Sequence, residues 1–84
     1  MHEMGIASSI LDAVRTELLL YPGYRAARVG VRIGEFAGVD SESLRFCFDA
    51  IVKGSALESL ELGIVAGKGD ELDLSQIEME EVGA

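Results

Sequence analysis

The stretch ARVGVRIGE (residues 27–35) alternates apolar and polar side chains. Ala27, Val29, Val31 and Ile33 fall on one face, and Arg28, Gly30, Arg32 and Gly34 on the other. A period of two marks a strand with one face buried. Glycine weakens a strand unless something needs the room, so the two outer-face glycines predict a bend or a close backbone approach.

Helical patterns flank this strand. Before it, residues 4–20 place Met4, Ala7, Leu11, Val14 and Leu18 at spacings of three and four, with Ile6, Ile10 and Ala13 widening the stripe. The turn YPGY (21–24) ends that helix, since Pro22 cannot continue it and Gly23 turns at little cost. After the strand, VDSESLRFCFDAIVKG (39–54) reads as a second helix. Asp40 is its N-cap, Gly54 its stop, and Leu44, Cys47, Phe48 and Ile51 its buried stripe.

SLELGIV (59–65) alternates again, AGKGDE is a glycine-rich turn, and LDLSQIEMEEV (72–82) alternates with a slip of phase between Leu74 and Ile77. A bulge around Ser75-Gln76 restores one apolar face. The order α-β-α-β-β predicts an α+β two-layer sandwich, two helices on one face of a three-stranded sheet. The last two strands are expected to pair as an antiparallel hairpin.

Eighty-four residues, 49% of them apolar, make one domain with a thin core. The net charge is −8, unevenly spread: residues 1–57 hold seven acids and six bases, and residues 58–84 eight acids and only Lys68. Such a surface repels nucleic acid and anionic lipid and suits a cation or a basic partner. The single cysteine, Cys47, excludes an internal disulfide and a cysteine-clustered zinc site, and fits a reducing, cytoplasmic location. No lysine or arginine precedes Arg15, so the basic start of a secretory signal is missing, and the longest aliphatic run is LLL at 18–20, too short to span a membrane.

The chain opens MHE, and His2 is its only histidine. An α-amine and the next amide nitrogen close a five-membered ring on a metal. That amide and the Nδ1 of its own imidazole close a six-membered one. Three nitrogens of Met1 and His2 therefore lie in one plane, with the Glu3 amide nitrogen, the Glu3 carboxylate or a partner's atom as fourth ligand. Planar nitrogen sites suit Ni(II) and Cu(II) and not zinc. Histidine is too large a second residue for removal of the initiator, so Met1 and its amine are expected to stay.

MHEMGIASSILDAV, ARVGVRIGEFAGVDSESLRFCFDAI and GDELDLSQIEMEE resemble, in order, the main segments of the HypA/HybF family. These are nickel metallochaperones for [NiFe]-hydrogenase maturation and, in some bacteria, for urease. The resemblance implies a nickel domain of two helices and a three-stranded sheet, a nickel site at Met1, His2 and Glu3, and transfer with a HypB-type GTPase to a hydrogenase large subunit. It also marks a departure. The family's zinc domain, with two CxxC pairs, belongs between the second and last strands, where this chain has only VAGKGDE. No zinc is therefore expected, and 1–84 reads as a single nickel-binding domain with a short turn near 66–70 in place of the insertion. That domain is either naturally zinc-less or the product of an excision. A monomer or weak homodimer is expected.

Nothing in the chain suggests an enzyme. One histidine and one core cysteine make no nucleophile–base pair. Glu80 and Glu81 point to opposite faces of a strand. A metal-independent alternative is an interaction module that docks a basic surface through an acidic hairpin at residues 58–82.

Overall fold

The computed structural model describes residues 2–83. Helix α1 (Glu3–Leu18) leads to strand β1 (Tyr24–Gly34), helix α2 (Ser41–Val52), and strands β2 (Glu61–Gly67) and β3 (Leu72–Glu81). The expected α+β architecture is present, with two helices on a three-stranded mixed sheet.

Helix α1 buries Ala7, Ile10, Leu11 and Val14, the central part of the expected stripe. It ends two residues early, at Leu18, and Leu19 and Leu20 stand 82% and 69% exposed. The chain then turns through Gly23 at φ +87, a left-handed conformation natural to glycine. Helix α2 begins as expected: Asp40 is extended, and its Oδ1 accepts the backbone N–H groups of Glu42 and Ser43 at 3.0 and 3.2 Å. Such a cap satisfies amides that the helix itself leaves without partners. Gly54, at φ +78, follows the last turn. Leu44 and Phe48 are fully buried and Val52 nearly so, while Cys47 and Ile51 are half-buried at the edge of the core.

The sheet corrects one expectation. Its order is β2-β1-β3, so β2 and β3 do not form a hairpin. β1 lies between them, parallel to β2 from Arg28↔Glu61 to Gly34↔Gly67 and antiparallel to β3 from Tyr24↔Glu81 to Ile33↔Leu72. The reason lies in residues 35–60. Parallel pairing needs a long crossover, usually helical, and α2 supplies it, so β2 returns alongside β1. β3 then takes the other side of β1.

The outer-face glycines have their explanation in this topology. The connection from β2 to β3 must pass across the end of β1. Gly34 N–H donates to the Glu71 carbonyl and Phe36 N–H to the Gly69 carbonyl, both at 2.7 Å. A Cβ on Gly34 would run into the Gly69 carbonyl and lie 2.8 Å from the Lys68 carbonyl oxygen. Gly30 sits opposite the expected bulge. The register shifts between Gly30 and Val31, leaving Ser75 as the extra residue, and a Cβ on Gly30 would lie 2.6 Å from Ser75 Oγ. A second bulge corrects the phase of β1. The shift between Ala26 and Arg28 makes Ala27 the extra residue, so Ala26 (4% exposed) takes the core position expected of Ala27.

The core lies between the helices and the inner sheet face, centred on Leu11, Val14, Val29, Val31, Leu44 and Phe48. The outer sheet face carries ion pairs, Arg25–Glu80 (2.9 Å), Arg28–Glu61 (3.3 Å), Arg28–Glu78 (3.7 Å) and Arg32–Asp73 (3.2 Å). All are solvent-exposed, so each contributes little, about 0–1 kcal/mol. They do decide what the acidic C-terminal third is. Four of its acids meet arginines of β1, and the hairpin on which the interaction-module alternative rested does not exist.

Candidate metal centre

The N-terminal residues meet at the start of α1. His2 is the N-cap, extended at φ −86 and ψ 102, and its carbonyl accepts the first helical bond, from Ile6 N–H at 3.2 Å. Its imidazole makes no capping hydrogen bond and is exposed. The first amides of a helix have no partners within it, so the backbone nitrogens of His2 and Glu3 are not tied into the helical ladder. Met1, the other member of the expected chelate, lies outside the described residues.

Glu3 is half-buried as a residue, and its carboxylate stays in contact with solvent. Its Oε2 accepts the backbone N–H of Asp40 at 3.0 Å, which ties the first turn of α1 to the N-terminus of α2. That bond, together with the N–H of Glu3 itself, holds its carboxyl below the ordinary carboxylate value. The positive ends of two helices act in the same direction. Because the folded value is depressed, the contribution of Glu3 is complete above the ordinary value of 4.5 and is lost as pH falls through the lowered one. Near neutral pH the residue stays ionised.

Sequence spacing brought Met1, His2 and Glu3 together but missed Asp40. The aspartate reads as a cap and nothing more, because no local pattern says that its amide faces a carboxylate 37 residues away. Among the described residues, no three His, Cys, Asp or Glu side chains cluster closely enough to hold an ion.

Glu3→Gln probes the link to α2. The amide oxygen of glutamine still accepts the Asp40 N–H, but without charge. Nickel affinity is expected to fall about tenfold, the low end for a group that positions a ligand, with the circular dichroism spectrum unchanged. An unaltered titration curve would show that the Glu3 carboxylate has no part in the site.

The sequence profile of the family described as "Hydrogenase/urease nickel incorporation, metallochaperone, hypA" matches residues 1–71. The chain belongs to the HypA family. A hydrogenase maturation factor HypA of Chlorobium limicola is 48% identical over 64 residues, covering 76% of this chain and 55% of that protein. The HypA of Xanthobacter autotrophicus is 39% identical over 69 residues, covering 82% of this chain and 61% of its own. The chain thus spans little more than half the length of these curated HypA relatives. The solution structure of the Ni metallochaperone HypA from Helicobacter pylori superposes with a TM-score of 0.73 at 19% identity, over 99% of this chain and 95% of that one. At that identity the likeness concerns the fold. Among the described residues no helix is long and apolar enough to cross a membrane.

Proposed function

We propose that this chain is the nickel-carrying part of a HypA-type metallochaperone. Ni(II) is bound at Met1, His2 and Glu3 and passed on, with a HypB-type GTPase, to a hydrogenase large subunit or to urease. The observation that carries the reading is an exposed imidazole, engaged in no cap, on the first residues of a HypA-family chain where the backbone amides have no helical partners. Nickel is cargo here, and chelation and release replace catalysis.

The ring geometry narrows the fourth ligand. The Met1 amine and the imidazole Nδ1 each close a ring with the His2 amide nitrogen, so both lie cis to it. The remaining in-plane position is trans. The Glu3 amide nitrogen would also close a five-membered ring with the His2 nitrogen and so cannot reach a trans position. The Glu3 carboxylate is engaged with Asp40. Only Oε2 is used there, so Oε1 of Glu3, water or an acceptor's own ligand would fill the trans position, and an acceptor entering there would begin the transfer.

The absence of the two CxxC pairs belongs to the same reading. The profile match stops at residue 71, directly before β3. The zinc-binding insertion would enter at residues 66–70, between β2 and β3, and this single domain would bind no zinc.

Acetylation of the N-terminus is the direct test. It removes the amine and keeps His2 and Glu3. The d–d absorbance of a planar Ni(II) complex is expected in the native chain and not in the acetylated one. Equal spectra would rule out a terminal chelate. A second expectation follows from the ligands. An amine and an imidazole must shed protons to bind a metal, whereas Glu3 is already ionised, so affinity should fall steeply as pH is lowered from about 7.5 to about 6. A flat profile would point to carboxylate ligands instead.

A further inference from the structure

The inner face of β3 is only partly covered. Leu72, Leu74, Ile77 and Met79 are half-buried, while the helices pack chiefly on each other, on β1 and on β2. The gap is a groove between β3 and α1, of ≈ 520 Å³ at the His2 end and ≈ 520 Å³ at the Tyr21 end. Its helical wall is lowered by Gly5, Ser9 and Ala13 of α1, which line it together with Ile6, Ile10 and Glu17. Its far end is closed by Tyr21 and Tyr24, packed edge to face at 6.4 Å. β3 is also an edge strand, with β1 as its only neighbour among the described residues, so every second backbone group along it faces outward.

We propose that this groove and edge receive an extended segment of a partner protein in which apolar and basic residues alternate. The segment adds a strand beside Gln76–Glu81, beyond the Ser75 bulge, where the one remaining register shift puts its extra residue, Ala27, on β1 and not on β3. Main-chain hydrogen bonds hold it, and alternate apolar side chains enter the groove against Ile77, Met79 and Ala13. Charge selects the occupant. β3 carries Asp73, Glu78, Glu80 and Glu81 and no basic residue. The first three share ion pairs with Arg32, Arg28 and Arg25 of β1 but stay half exposed and open to a second cation. The groove is lined by Glu17 and Asp73 but by no lysine or arginine. The side chains of the added strand that point away from the groove therefore meet carboxylates, which suits lysine or arginine. A second copy of this chain, paired edge to edge, would set acids against acids on a molecule of net charge −8.

The test uses the metal-free chain, so it does not depend on the nickel site. The probe is a capped heptapeptide of alternating lysine and valine, with its glutamate–valine counterpart as control. In an amide-shift titration the lysine peptide should perturb residues 76–81 and the Ala13–Tyr21 wall and protect outward amides of β3 from exchange. The glutamate peptide should bind at least about tenfold more weakly. Ala13→Trp fills the groove from the helix, and Met79→Lys charges it from the strand. Each should weaken the lysine peptide about tenfold or more with the circular dichroism spectrum intact, and agreement between the two guards against one misfolded variant. Absence of binding, shifts elsewhere or equal binding of both peptides would overturn the proposal. So would a free chain that dimerises with its β3 amides already protected.

Discussion

Gly34→Ala is expected to lower the unfolding midpoint by about 10–20 °C, the equivalent of about 3 kcal/mol in a domain of this size. The added methyl group has no space. It would meet the Gly69 carbonyl and the Lys68 carbonyl oxygen, which are backbone atoms and cannot rotate aside. Relief requires the β2–β3 connection to lift from the end of β1, and that strains or breaks the Gly34–Glu71 and Phe36–Gly69 hydrogen bonds. The effect is steric and not conformational, because Gly34 does not have a positive φ. Gly5→Ala is the control. Nothing lies within 4 Å of a Cβ there, and alanine in a helix is favoured over glycine by about 0.5–1 kcal/mol, so that variant should melt slightly higher. A Gly34→Ala midpoint within about 3 °C of the parent's would show that the crossing is looser than described.

The same crossing explains what the sequence could and could not convey. The two outer-face glycines predicted a bend or a close backbone approach. Gly34 has the backbone approach and Gly30 is met by the Ser75 side chain at the bulge, but the approaching segments were legible only once β1 was known to be central. A glycine-rich turn between two alternating runs favours a hairpin by local rules. The nonlocal fact, that 35–60 is a helical crossover placing β2 parallel to β1, overrides it. The phase slip after Leu74 did locate the bulge at Ser75. The bulge at Ala27 left no comparable trace, because alanine occupies positions 26 and 27 alike and either could face the core. At the candidate site the sequence could set side by side only covalent neighbours, a terminal amine and His2. The Glu3–Asp40 contact was not legible, because it joins the starts of two helices far apart in sequence.

His2→Ala should lower nickel affinity at least about tenfold, about 1.4 kcal/mol, while leaving the melting temperature within about 3 °C. With the proposed terminal site, two separate effects produce this split. The chelate of three nitrogens loses its imidazole arm and becomes bidentate, so one ring and its entropic advantage disappear. The fold loses almost nothing, because the His2 side chain is exposed and makes no capping bond, and its carbonyl still accepts Ile6 N–H in the variant. Surface changes of this kind stay within about 0.5 kcal/mol. Affinity is read from competition with a chelator of known strength, and the midpoint from calorimetry on the same preparation without metal. A large drop in both would mean that His2 supports the helix and that its effect on nickel is indirect. Parental nickel affinity in His2→Ala would place the metal elsewhere. Among the described residues no three His, Cys, Asp or Glu side chains cluster to hold it instead, so that result would overturn the terminal site and most of the case that this domain carries nickel.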